Sequence, residues 1–445
     1  MKILFVSLGC DKNSVDSEVM LGVLSDAGFE LTDDEEEAEA AVVNTCCFIN
    51  DAKEESIDTI IALGKRRTSG QFRALIVAGC LAERYFDEIR KELPEVDAVV
   101  NTASIEKIAE ALKSVLEGAP RDFRAPLDSP LPEYDKRILA TGACYDSGYY
   151  GFLKIAEGCD RRCTYCVIPS VRGPYRSFPM ETLLAEAKSL AEKGVKELNL
   201  VAQETTLYGT DLYGKKTLPE LLRRLCGIEG IEWIRLLYCY PEEITEELID
   251  TIASEEKVLP YLDLPVQSGS DRILALMGRR TNREEITSLA ARLREKIPGI
   301  CLRTTLITGF PSETEEDHRE TLRMMEEIRF DRLGVFVYSE EEGTAAAAMK
   351  DKVKESVALK RWNEIMALQQ EIAFELASEK EGLILPVLTE GLLPGEGVYA
   401  GRSYMDAPGV DGYVFYPSDR ELMSGEIVKV RILEAKDYDL VGELI

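Results

Sequence analysis

Residues 155–166 read Ile155-Ala156-Glu157-Gly158-Cys159-Asp160-Arg161-Arg162-Cys163-Thr164-Tyr165-Cys166, three cysteines at C-x3-C-x2-C spacing, with Pro169 and Gly173-Pro174 close behind. Three thiols this close together, on a loop too short to be a strand or a long helix, suit one iron–sulfur cube with an iron at each corner. No fourth cysteine stands beside them. A cluster held by protein alone takes four thiolates, so three leave one iron open to a further ligand. The pattern points to chemistry at the cluster. A zinc knuckle is the alternative reading. Zinc usually draws four ligands from two close pairs, whereas the chain's single histidine, His318, lies far downstream.

Working outward, Gly151–Glu157 reads as a strand that delivers the cysteine loop at its carboxyl end. Further apolar runs follow at Glu197–Gln203, Trp233–Tyr238, Tyr261–Pro265, Cys301–Ile307 and Arg332–Tyr338, with helical patterns between them. This alternation predicts a partial (β/α)6 barrel, whose active site belongs at the carboxyl ends of the strands. The residues just after the runs are polar and glycine-rich, including Gln203, Glu204, Gln267 and Ser268. Beyond the barrel, Glu355–Glu379 reads as a helix with Trp362, Ile365, Met366 and Ile372 on one side. From about Leu383 five short strand-like runs separated by glycine, proline and aspartate predict a five-stranded β-barrel.

Towards the N-terminus three apolar runs each end in a cysteine: Lys2–Cys10, Ala40–Cys46 and Ala74–Cys80. Strand-helix-strand alternation predicts a parallel sheet with right-handed crossovers, so Cys10, Cys46 and Cys80 converge on its ligand-binding edge. They form a second candidate cluster site with three thiols. Cys47 points away from Cys46 if the backbone is extended there. It is read as structural, as are Cys144, Cys226, Cys239 and Cys301. Arg121–Tyr149, carrying Pro126, Pro130 and Pro132, reads as a connection with at most a strand or two. The expected division is an N-terminal α/β domain over 1–120, a connection over 121–150, the barrel domain over 151–375 and the β-barrel over 376–445.

The chain's 445 residues predict two or three domains, and its 45% hydrophobic content is enough to fill them. An odd number of cysteines, eleven, with no signal peptide, argues for a reducing cytoplasm rather than a disulfide framework. No stretch is long enough to span a membrane. With 53 basic and 81 acidic residues the net charge is −28. Such a surface disfavours a phosphate backbone and suits a basic protein partner. From Leu376 onward the chain holds 6 Lys/Arg and 13 Asp/Glu, so this tail carries 6 − 13 = −7.

Cys159, Cys163 and Cys166, with Tyr165 before the last, resemble the signature of radical S-adenosylmethionine (SAM) enzymes. That resemblance implies a 4Fe-4S cluster whose open iron chelates the amino and carboxylate groups of SAM, which is cleaved to a 5'-deoxyadenosyl radical. Together with Gly9-Cys10, Asn44-Thr45-Cys46, Gly79-Cys80 and a TRAM-like tail, nearly the whole chain resembles the methylthiotransferases. The resemblance implies two 4Fe-4S clusters, SAM as radical source and methyl donor, a sulfur donor and a reductant. Tyr165, Gln203, Glu204, Gln267, Ser268 and Arg303 are the candidate SAM contacts, with Glu204 on the ammonium and Arg303 on the carboxylate.

Ser7–Glu18, Ile168–Gly173 and Gly401–Gly412 resemble the branch that acts on an aspartate of small-subunit ribosomal protein twelve, although Asp11 stands where that branch has proline. The acidic tail is expected to attract this basic protein, and direct nucleic-acid binding is not expected. A tRNA-adenosine methylthiotransferase and a non-enzymatic iron–sulfur sensor or carrier are the alternatives.

Overall fold

The computed structural model describes residues 1–131 and 148–445; Cys144 and Pro132 lie outside the described residues. Five strands, β1 (Lys2–Ser7), β2 (Glu30–Thr32), β3 (Ala40–Thr45), β4 (Leu75–Gly79) and β5 (Ala98–Val100), form a sheet in the order β2-β1-β3-β4-β5. Every neighbouring pair is parallel. Apolar β-branched runs such as Ala41-Val42-Val43 and Ile76-Val77 suit a sheet buried on both faces. Ile3, Phe5, Val42 and Ile76 point to a core shared with helices Asp11–Asp26 and Ile108–Leu116. Leu4, Val43, Leu75 and Val77 point the other way, to Ile60 and Leu63 of helix Asn50–Thr68.

β2 and β5 were not expected from the sequence. Each has only three residues, too few to show a period. Beyond residue 120 the chain still follows this sheet: Phe123 bridges to Val100, and Asn101 Nδ2 donates to the Ala125 carbonyl at 2.7 Å.

The expected strand Gly151–Glu157 divides into β6 (Tyr150–Lys154) and β7 (Ala156–Glu157). β7 pairs antiparallel with β8 (Arg176–Ser177), so a two-residue ribbon closes the base of the cysteine loop. β9 (Glu197–Val201), β10 (Trp233–Leu236), β11 (Val258–Asp263), β12 (Cys301–Thr308) and β13 (Arg332–Val337) complete an open sheet ordered β13-β12-β11-β10-β9-β6. All its neighbours are parallel, giving the partial (β/α)6 barrel. Leu153, Leu198, Leu200, Leu236, Leu262 and Leu306 join the core under the surrounding helices. The alternate residues, including Lys154, Asn199, Arg235, Asp263 and Arg303, take the inner face by the two-residue period of a strand. The helix expected at Glu355–Glu379 spans Glu355–Ser378 and buries Ile365 and Ile372.

Five strands, β14 (Ile384–Leu392), β15 (Val398–Arg402), β16 (Val414–Pro417), β17 (Ile427–Lys436) and β18 (Asp439–Leu444), close into a barrel ordered β14-β15-β16-β18-β17. Its core is continuous with the interior of the larger barrel: Val387, Tyr399, Val414 and Val430 share one cluster with Trp233, Tyr261 and Cys301. Contacts fall at the amino ends of the parallel strands. Arg402 Nη2 lies 2.7 Å from Glu197, Arg332 Nη2 2.7 Å from Asp406, and Tyr261 donates its hydroxyl to Asp411 at 2.9 Å. The C-terminal barrel therefore plugs the end of the (β/α)6 barrel opposite the cysteine loop.

Candidate functional site

The N-terminal domain covers the carboxyl-end mouth of the barrel, and the polar residues of helix Asp11–Asp26 explain why. Lys12, Asn13, Asp16, Ser17 and Glu18 are buried although they are hydrophilic. Buried charges persist only when paired. Asp16 takes Lys154 Nζ and Arg172 Nη1, and both cations also reach Glu157, at 2.7 and 3.3 Å. Burial alone would raise the Glu157 carboxyl, but Lys154 and Arg172 pull it down to about 2. A second latch joins Arg84 and Lys53 to Glu341 at 2.6 and 2.9 Å. A third lies between the first two: Lys12 Nζ sits 3.0 Å from the Tyr238 ring centroid, and Tyr238 donates its hydroxyl to Asp11 at 3.1 Å. Asp11, the departure from the expected proline, thus has a partner in the barrel.

The tips of β1, β3 and β4 bring Cys10, Cys46 and Cys80 together, near enough that Cys10 acts on the Cys46 thiol and both act on Cys80. Burial pushes the Cys46 and Cys80 thiols upward. Gly9 has φ +98°, and a Cβ there would lie 2.9 Å from the Cys46 sulfur, so only glycine allows these tips to approach. Asn13 and Asn44 fix the backbone around them. Asn13 Nδ2 donates to the carbonyls of Leu8 and Thr45 at 2.6 and 3.1 Å, and Asn44 Nδ2 to the Asn13 carbonyl at 2.9 Å. Cys47 points into the core as expected and is 1% exposed.

Cys159, Cys163 and Cys166 meet on the loop between β7 and β8. Burial pushes the Cys159 thiol up to about 11 and the Cys166 thiol to about 12, with neighbouring cysteines adding to both. Gly158 turns the loop at φ +78°, where a Cβ would sit 2.0 Å from the Pro174 carbonyl oxygen. Thr164 pins the loop to the barrel, its N–H donating to the Met277 carbonyl at 2.9 Å and its hydroxyl to the Leu276 carbonyl at 2.8 Å. Tyr165 packs on Ile273, Met277 and Phe310.

Glu204 is fully buried beside the loop, accepting from Thr206 and, at 3.4 Å, from Arg161 Nε. Burial raises its carboxyl to about 7, against the opposing pull of Thr206 and Arg161. Gln203 donates to Glu157 at 3.0 Å, while its buried Oε1 has no partner among the described residues. Gln267, at φ +75°, is held by the backbone of Thr305 and Ile307. Its neighbour Ser268 is buried at the β11 tip.

Arg303, the candidate for the SAM carboxylate, pairs with carboxylates of the chain itself. Its guanidinium lies 2.9 Å from Asp263 and 3.5 Å from Asp411 of the C-terminal barrel. The Asp411 pair ties Arg303 to the interdomain plug.

Two residues beside the cysteine loop were missed in the sequence. Tyr240 places its hydroxyl 3.8 Å from the Cys163 sulfur, and the Arg279 guanidinium stacks 4.1 Å from the Tyr240 ring centroid. Arg279 Nε and Nη1 are buried and make no hydrogen bond among the described residues. Nothing in their local spacing marks them.

Among the described residues no three histidine, cysteine, aspartate or glutamate side chains gather tightly enough to hold a single metal ion. A 4Fe-4S cube asks for something else, since each thiolate binds a different iron at a different corner. Two sets of three thiols fit that donor requirement. The open Gln203 acceptor and the open Arg279 donors beside the second set fit a polar, charged ligand.

Three family models match the chain: the uncharacterized protein family UPF0004 over residues 2–101, the radical SAM superfamily over 153–325, and the TRAM domain over 382–445. A ribosomal protein uS12 methylthiotransferase RimO from Lachnoclostridium phytofermentans is 58% identical over 442 residues, 99% of both chains. The chain belongs to the uS12 methylthiotransferase family. A further family member, from Pelotomaculum thermopropionicum, is 52% identical over 100% of this chain and 99% of its own. The fold is also similar to the radical SAM methyltransferase TsrM from Kitasatospora setae, with a TM-score of 0.56 at 14% identity over 83% of this chain and 89% of that one. At that identity the likeness shows the fold alone. The three matched models fall on the three units described above, the α/β domain, the (β/α)6 barrel and the C-terminal barrel. Among the described residues no helix is long and apolar enough to cross a membrane.

Proposed function

We propose that this chain is the radical SAM methylthiotransferase that modifies the β-carbon of an aspartyl residue on ribosomal protein uS12. The observation that carries this reading is the pair of three-thiol sites on facing domains, held against one mouth by Asp16, Lys154, Glu157 and Arg172. The full-length similarity to uS12 enzymes supports the substrate. Cys159, Cys163 and Cys166 hold the cluster that binds SAM, and Cys10, Cys46 and Cys80 hold the auxiliary one. Two 4Fe-4S clusters and SAM, when bound, supply reductive cleavage, hydrogen abstraction and delivery of the methylthio group.

The protein's own share is placement and exclusion of water. Tyr165, Gln203, Glu204, Gln267 and Ser268 line the SAM pocket, with Glu204 facing the ammonium. Arg279, with buried Nε and Nη1 unpaired among the described residues, is the cation with donors free for the SAM carboxylate. No general base is required, because an unactivated C–H bond is not acidic enough for a side chain to deprotonate usefully. His318 is no candidate; it is buried and hydrogen-bonded to Glu364 at 2.7 Å.

The reaction belongs to the cytoplasm, where a reductant and a sulfur donor complete it. The same reading divides the chain into units over 1–120, 151–375 and 376–445, joined by a connection over 121–150. The acidity of the TRAM barrel supports attraction of a basic protein. Mass spectrometry of uS12 from a strain lacking this enzyme is expected to lose the methylthio mass increment. An unchanged spectrum refutes the assignment.

A further inference from the structure

Arg172 ends the short helix Ile168–Arg172 that follows the cysteine loop, and it is 2% exposed. One edge of its guanidinium meets Asp16 Oδ2 at 2.5 Å and Glu157 Oε2 at 3.3 Å. The other edge crosses the domain boundary to the auxiliary site, where Nη2 donates to Asn13 Oδ1 at 2.7 Å and to the Cys80 sulfur at 3.2 Å. The carboxylates of Asp16 and Glu157 are already matched in number by Arg172 and Lys154. A latch needs only those charges. The hydrogen bond to sulfur is an additional feature.

We propose that Arg172 is a positioning residue that tunes the auxiliary cluster: its N–H···S bond to Cys80 and its charge raise that cluster's reduction potential. The inference rests on Cys10, Cys46 and Cys80 being the cluster's ligands. The step concerned is the transfer of one electron from dithionite onto the cluster, with no bond made or broken. The reduced cluster carries one more negative charge, so a buried cation and a donor on its sulfur stabilise it more than the oxidised form. Asp16 supplies the internal control. It belongs to the same latch but carries the opposite charge, and it does not touch the sulfur.

The test is an EPR-monitored dithionite titration of the full-length chain carrying C159A, C163A and C166A, reconstituted anaerobically so that only the auxiliary cluster contributes. Its iron content is measured first; an iron-free chain overturns the ligand assignment and this inference with it. With the cluster present, Arg172→Gln is expected to lower the midpoint. At a fixed potential the oxidised-to-reduced ratio should rise about tenfold, equivalent to about 59 mV for a one-electron couple. Asp16→Asn is expected to move the midpoint upward. Arg172→Lys, which keeps the charge and loses the planar fork, should fall between wild type and Arg172→Gln. If Arg172→Gln fails to hold iron, Arg172→Lys and Asp16→Asn must still move in opposite directions. Shifts of the same sign, as a loosened interface alone produces, or no shift at all, overturn the proposal.

Discussion

Replacing Glu197 by glutamine tests whether the TRAM barrel is a fixed part of the enzyme. Glu197 is 0% exposed at the first position of β9. Its Oε1 accepts from Arg235 Nε at 2.8 Å, and its Oε2 lies 2.7 Å from Arg402 Nη2 of the TRAM barrel. The second contact is an ion pair by distance whose angle does not make a hydrogen bond, so it is held by charge. Glutamine keeps the size and one acceptor but removes that charge, leaving two buried guanidinium groups around a neutral amide. Arg402 retains Glu390, at 2.5 Å and partly exposed, whereas Arg235 retains the amide oxygen, the Tyr404 carbonyl and the Tyr261 ring but, among the described residues, no carboxylate.

Breaking a buried pair by removing one partner costs about 3–5 kcal/mol. For units of this size each kcal/mol moves Tm by about 2–4 °C, so the expected fall is about 6–20 °C. Differential scanning calorimetry of the reconstituted enzyme measures it. A second sign is earlier proteolysis between the helix Glu355–Ser378 and β14, as the TRAM barrel detaches. A Tm within about 2 °C of wild type would show that Glu197 does not hold the two barrels together and would refute the reasoning.

Three further outcomes are expected. Alanine at Cys159, Cys163 or Cys166 abolishes SAM cleavage, whereas alanine at Cys10, Cys46 or Cys80 spares some 5'-deoxyadenosine formation and stops product; each change halves iron per chain. SAM affinity, measured by equilibrium dialysis, strengthens as pH rises through about 7, because the raised Glu204 carboxyl becomes anionic only above that value, and Glu204→Gln removes the dependence. Glu157 has the opposite sign: its folded value of about 2 lies below the ordinary carboxylate 4.5, so its contribution is present above about 4.5 and is lost as pH falls towards 2. Glu157→Gln therefore lowers Tm at neutral pH and flattens the acid limb of the wild-type stability curve.

The sequence carried the features whose cause is local. Both cysteine sets, the long apolar strands, the helix over 355–378 and the strands of the TRAM barrel follow from spacing, period and turn residues near one another in the chain. The features it hid are set across domains. Helix Asp11–Asp26 looks polar over its first turns because Lys12, Asn13 and Asp16 find their partners on Tyr238, Arg172 and Lys154, residues far away in sequence. Arg303 was a plausible ligand for a carboxylate and does bind carboxylates, but they come from β11 and the TRAM loop. Arg279 and Tyr240 sit at separate loops whose meeting depends on the barrel's closure around Cys163. In each case the partner is chosen by the tertiary fold.

The same distinction bears on what the acidic TRAM barrel can do. It is docked at the amino ends of strands whose carboxyl ends carry the cysteine loop. A six-residue strand such as β11 or β13 is about 20 Å long at about 3.3 Å per residue, while charges in physiological salt are screened over about 8 Å. The −7 tail therefore exerts little pull at the mouth itself. What the mouth presents is different in kind. Phe48, two residues past Cys46, is 47% exposed, and Phe336 near the end of β13 is 49% exposed, while their flanking loops are joined by the Asn50 N–H donating to Ser339 at 3.3 Å. Exposed Glu340 and Glu342 lie beside them. The mouth thus presents apolar and acidic side chains that both cysteine-bearing domains contribute.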